Sequence, residues 1–308
     1  MSSRDRLRVV YVAGSGHTGS TMLAMLLDSH PRIASVGEVA VKPAIRRRGD
    51  YADQRCSCGE SIARCAFWQD VFQAVNRQGF QFSATDWSND YRCDNPLLHK
   101  VLTRNSGYRA VRTFQRWAAA HLPVHRARMA HIHKVNVAFV RAVLEIARAD
   151  VFVDTSKGAT RLHHLMSVPE LDISVVRLVR DARAYAASAK RRGKSVREAA
   201  RTWRRDQLLI TEVTSALPAD RQFTVRYEDL CSNLRGTLRR VHEFCGVEPM
   251  TVSGELVSTE HHVLGNNMRQ QGAIQVRLDE TWRSQLGHIE QQEVMKIAGA
   301  MNQAFGYV

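Results

Sequence analysis

The chain has 308 residues, and 44 Lys plus Arg stand against 30 Asp plus Glu for a formal charge of +14. That length supplies a sizeable core for one large or two modest domains, and no run of eighteen apolar residues occurs, so no membrane-spanning helix is expected. The charge favours anionic partners, although 37 of the 44 cations are Arg and short clusters such as Lys190-Arg191-Arg192 read as solvated faces.

The apolar run Val9–Ala13 predicts a first strand. It begins within ten residues of Met1, which leaves no room for a signal peptide and points to the cytoplasm. Gly14-Ser15-Gly16-His17-Thr18-Gly19-Ser20-Thr21 follows, then the apolar helix Met22–Leu27. Strand, glycine turn and helix bring backbone N–H groups and a positive dipole end onto an anion. A nucleotide P-loop reads G-x-x-x-x-G-K-[S/T]. Gly14 and Gly19 keep that spacing, but Ser20 stands where the lysine belongs, so a donor other than a transferring γ-phosphate is indicated.

The first helix is expected to end near Ser29 with Pro31 as the stop, and Val36-Gly37-Glu38-Val39 follows closely enough to keep Glu38 near the loop. Residues 42–65 read as a loop or lid. Cys56, Cys58 and Cys65 are irregularly spaced for zinc; free thiols are expected, with a structural zinc completed by Cys93 or a histidine as the alternative. A short helix is predicted over Phe67–Val75, a loop over 83–96, and helices over Leu97–His121 and Val124–Arg148 with Pro123 between them. Val151–Asp154 is the next strand, and Thr155-Ser156-Lys157-Gly158 opens another helix. Ile173–Val179 reads as a buried strand leading into Arg180-Asp181-Ala182. A long amphipathic helix covers Ser195–Leu217. Strands alternating with helices predict an α/β fold with a central parallel sheet between helical layers. The whole, residues 1–308, is expected to form one domain with a loop and helical insertion at about 42–150.

The loop at 14–21, followed by Asp28-Ser29-His30-Pro31, resembles the 5′-phosphosulfate loop of sulfotransferases that use 3′-phosphoadenosine 5′-phosphosulfate (PAPS). The spacing from Arg180 to Ser188 resembles that family's 3′-phosphate site, and the segment from Cys56 to Trp68 resembles an insert of its bacterial members. Phe223–Leu230 with Thr237–Val247 resembles the strand–helix pair that follows, in which Tyr227 and Leu230 pack while Glu228 and Asp229 cap. His262–Arg269 with Trp282 resembles the loop closing over the nucleotide.

The resemblance implies a bacterial-type, cytosolic enzyme with a P-loop-like three-layer fold. Its nucleotide donor would be held by Ser15, Gly16, His17, Thr18, Gly19, Ser20, Thr21, Arg180, Ser188 and Arg269. Sulfuryl transfer is positioning and charge stabilisation, with less charge on the moving group than in phosphoryl transfer, so no metal is called for. His17 stands where relatives carry Lys or Arg, and it is assigned to the leaving phosphate. Lys157 is assigned to the sulfonate and Glu38 to the acceptor as base, with Asp28 and His30 as alternative bases. The acceptor, whether small molecule, carbohydrate or lipid, and a homodimer are left open.

Two other classes compete. A P-loop kinase or NTPase would use Asp154 as a magnesium ligand. A nucleic-acid-binding protein is suggested by charge alone, and sparse aromatics and dispersed cations speak against it.

Overall fold

The computed structural model describes residues 6–39, 54–91, 109–251, 255–257 and 273–308. Arg269 and Cys93, the first half of the expected lid and the first part of the helix expected from Leu97 lie outside them.

Strand β1 (Leu7–Gly14) leads into helix α1 (Ser20–Asp28), which is followed by a three-residue strand β2 (Ile33–Ser35). Helices α2 (Ala66–Arg77), α3 (Arg109–His121) and α4 (Pro123–Ala147) form the insertion. Pro123 sits at the start of α4 rather than between two helices; its missing N–H is one the first turn does not use. Strand β3 (Val151–Lys157) and helix α5 (Ala159–Leu165) come next. Residues 155–157 thus finish a strand instead of opening a helix, and Gly158 is the N-cap.

Strand β4 (Leu171–Val179) feeds helix α6 (Ala182–Lys190), and helix α7 (Val196–Thr214) is capped by Ser195, whose side chain accepts from Glu198 N–H. Strand β5 (Gln222–Arg226) runs into helices α8 (Tyr227–Ser232) and α9 (Leu234–Cys245). A small antiparallel pair, β6 (Glu255–Val257) and β7 (Ala273–Gln275), precedes helices α10 (Trp282–Gln285) and α11 (His288–Ala304).

The five strands β1–β5 form an all-parallel sheet in the order β2-β3-β1-β4-β5. Strand β1 is central because nearly every residue in it is apolar and both its faces are covered. Its alternation splits the core: Val9, Tyr11 and Ala13 face α2 and α4, whereas Val10 and Val12 face α1, α8 and α9. A third apolar cluster joins α6, α7, α10 and α11 around Trp203 and Trp282.

The order of strands reverses at β1, so the carboxyl ends of β1, β3 and β4 open onto the crevice where such sheets bind ligands. The β1–β3 register slips between Tyr11 and Ala13, which sets Lys157 opposite Ala13 at the mouth of that crevice.

Candidate active site

The turn after β1 divides its side chains. Ser15 and Thr18 are buried: Thr18 Oγ1 donates to the Ser15 carbonyl at 2.9 Å, and Gln207 Nε2 donates to Ser15 Oγ at 3.4 Å. Gly16, His17, Gly19, Ser20 and Thr21 instead line a cleft of about 700 Å³. Gly19 adopts φ 88°, and a Cβ there would lie 2.7 Å from Tyr227 Cδ2, so both backbone angle and space require glycine. The first turn of α1 carries no acidic residue, and Ser20, Thr21 and Met22 line the cleft, so the positive end of the helix dipole lies at its wall.

Lys157 and His17 hold left-handed backbone angles, φ 67° and 63°; among the described residues Arg148 is the other non-glycine residue of this kind. Such conformations cost energy and concentrate where function requires them. Lys157 Nζ lies 2.5 Å from Glu38 Oε1 and donates to Ser20 Oγ at 3.2 Å. One ammonium therefore joins the base expected for the acceptor to the loop expected for the donor. Glu38 is placed by its neighbours: Gly37 O accepts from Thr155 N–H at 3.4 Å, and Val39 N–H donates to Ser156 Oγ at 3.2 Å.

Arg180 leaves the end of β4 with its carbonyl accepting from Trp203 Nε1 at 3.1 Å. Its guanidinium lies 4.3 Å over the Tyr227 ring. Nη1 donates to the His17 carbonyl at 3.3 Å, and Nη2 donates at 2.9 Å to both the carbonyl and Oδ2 of Asp279. Its Nε is buried without a hydrogen-bond partner. Burial pushes the Asp279 carboxyl up, but hydrogen bonds from Thr281 and Arg180 outweigh it and bring the pKa to about 2. Ser188, one helix further on, accepts from Arg192 Nη1 at Oγ (3.1 Å) and at its carbonyl (3.2 Å).

The cleft thus gathers His17, Lys157, Glu38, Arg180 and Ser188, which lie up to 171 positions apart in the chain. It also holds Arg191, Arg192, Tyr227, Arg277 and Asp279, which the sequence reading did not assign to ligand. Arg191 and Arg192 were read as a solvated cluster; their place in the last turn after Ser188 was the available signal. Glu228 departs from its expected capping role: Arg226 is the N-cap, and Glu228 accepts from Asp181 N–H at 3.2 Å and Tyr307 OH at 2.5 Å.

Asp154, the magnesium ligand of the NTPase reading, is fully buried and spends both oxygens on protein donors. Ser156 N–H donates at 2.8 Å to one and Arg161 Nε at 2.8 Å to the other.

A sequence model of the sulfotransferase family matches residues 149–251. No curated protein matches the chain. Among solved structures, the sulfotransferase domain of the Synechococcus PCC 7002 olefin synthase superimposes with a TM-score of 0.54 at 19% identity, over 100% of this chain and 98% of that one. The sulfotransferase domain from the curacin biosynthetic pathway gives a TM-score of 0.52 at 17% identity, over 98% and 99%. These two share the fold. The matched segment carries Lys157, Arg180 and Ser188, and over it the chain is similar to the sulfotransferase family.

Proposed function

We propose that the chain, working as one catalytic unit in the cytoplasm, transfers a sulfuryl group from PAPS to a hydroxyl or amine of a small-molecule, carbohydrate or lipid acceptor. The observation that supports this donor most is Arg180: a buried guanidinium at a sheet crevice with an unpartnered Nε, eight residues before a buried Ser188. A planar fork with donor capacity to spare suits a phosphate monoester, and Ser188 with Arg192 adds donors beside it.

The amides of residues 16–21 and the start of α1 would hold the 5′-phosphosulfate, and Arg180, Ser188 and Arg192 the 3′-phosphate. When bound, the donor supplies an activated sulfuryl group. The chain's own part is orientation and proton management. Glu38 takes the proton of the acceptor hydroxyl, and Lys157, bonded to both Glu38 and Ser20, holds that carboxylate adjacent to the loop. His17, exposed on the loop, presents its ring to the leaving phosphate as donor.

Calorimetric titration with adenosine 3′,5′-bisphosphate, with no divalent ion added, tests the reading. Stoichiometric binding is expected, followed by a mass increase of one sulfuryl group on an acceptor from a screened panel. Absence of bisphosphate binding overturns the donor assignment.

A further inference from the structure

Away from the cleft three thiols converge. The Sγ atoms of Cys56, Cys58 and Cys65 all lie within 4.8 Å of one another. Cys58 and Cys65 are 3.6 Å apart and Cys56 and Cys65 3.8 Å. Zinc–thiolate bonds of about 2.3 Å in a tetrahedron set neighbouring sulfurs roughly 3.8 Å apart. The separations are those of ligands around a common centre.

The backbone around them is built for this. Residues 54–62 form a tight hairpin, with Cys56 N–H on the Glu60 carbonyl at 2.8 Å and Ile62 N–H on the Gln54 carbonyl at 2.9 Å. Gly59, at φ 95°, turns the chain so that its N–H reaches the Cys56 carbonyl at 3.0 Å. Cys65 is the N-cap residue of α2, so the start of that helix sets the third sulfur beside the hairpin. Cys56 and Cys65 are buried while Cys58 is exposed, which leaves an open side for entry of an ion.

We propose that Cys56, Cys58 and Cys65 bind one zinc ion as thiolates, with water or a further side chain as the fourth donor. Each thiol gives its proton to solvent on binding, and no oxidant or reductant is needed. Among the described residues no fourth imidazole, carboxylate or thiol joins the cluster. The irregular cysteine spacing favoured free thiols; the meeting of hairpin and helix start, which spacing alone does not show, points to the ion.

The site is structural. It fastens the hairpin to the start of α2, where Trp68 packs against Trp87 with ring centroids 5.2 Å apart. Trp87 Nε1 in turn donates to the Val39 carbonyl at 3.1 Å, one residue from Glu38. The ion would therefore brace the wall that carries the proposed base.

The test is elemental analysis of the full chain, purified reduced and dialysed against metal-free buffer. One zinc per chain is expected, and cobalt(II) in its place should give thiolate-to-cobalt charge transfer with the visible bands of a tetrahedral site. Cys58→Ser, at an exposed position, should weaken zinc affinity by about tenfold or more, whereas Cys245→Ser should leave zinc content unchanged. Metal-free protein after growth with added zinc, with all three thiols reacting freely with a thiol reagent, overturns the proposal. A disulfide between two of them, or zinc fully retained by the Cys58→Ser/Cys65→Ser variant, also overturns it. Bisphosphate binding, measured in parallel, bears on the donor assignment and not on the metal.

Discussion

Arg180→Ala removes a side chain whose bonds can be followed one by one. In the free protein Nη1 holds the His17 carbonyl, Nη2 holds Asp279, and Nε has no partner. An incoming 3′-phosphate gains the bond at Nε and exchanges with the Asp279 carboxylate at Nη2. The net gain is close to one charge-assisted hydrogen bond, about 1.5–3 kcal/mol. Losing it should weaken adenosine 3′,5′-bisphosphate by about 10- to 150-fold, since about 1.4 kcal/mol is tenfold. The assay is paired calorimetry with the bisphosphate and with adenosine 5′-monophosphate, for the wild-type chain and the variant. The monophosphate lacks the group Arg180 is assigned to hold, so its affinity should change far less. The preference for bisphosphate over monophosphate should collapse in the variant. A preference that survives intact would show that Arg180 does not read the 3′-phosphate. Equal loss of both ligands, with a lowered melting temperature, would mean that the contact to the His17 carbonyl had shaped the whole loop.

Glu38→Gln should lower turnover by ~10²–10⁴-fold with bisphosphate affinity nearly unchanged, because the group removed acts on the acceptor's proton. Normal turnover with every acceptor would place the base elsewhere. Gly19→Ala should destabilise the chain by roughly 1–2 kcal/mol for the left-handed angle, and more for the displaced Tyr227 ring, read as a lowered melting temperature. Burial, and then the neighbouring His30, hold His242 at a pKa of about 4 against an ordinary 6.5. The unfolded chain therefore binds more protons between these values, so stability from the neutral ring is complete above pH 6.5 and is lost as pH falls toward 4. Urea denaturation across that range should show the decline, to which His164, pushed down to about 3 mainly by burial, also contributes, and His242→Asn should make it shallower.

Where function depends on local pattern, the sequence was legible. The turn at 14–21 is strand, glycine and helix in uninterrupted order, and Arg180 with Ser188 sits at one strand end and the helix after it. Lys157 lines the cleft but belongs to another element than expected: a parallel partner, β1, draws residues 155–157 into the sheet, and no short-range signal encodes that pairing. Strand β2 is only three residues long and exists through pairing with β3. Asp279 was beyond reach because its partner Arg180 is 99 positions away. Arg191 and Arg192 were obscured for another reason, since a basic run after a helix has the same composition whether it faces water or a ligand.

The left-handed angles at Lys157 and His17 bear on how this protein can be improved by selection. A screen that rewards heat resistance alone rewards relief of backbone strain, and glycine at either position supplies it. Such a screen should enrich glycine at two of the side chains the reaction is proposed to need. Thermostable variants of this chain are best sought at other positions, with residues 17 and 157 held constant.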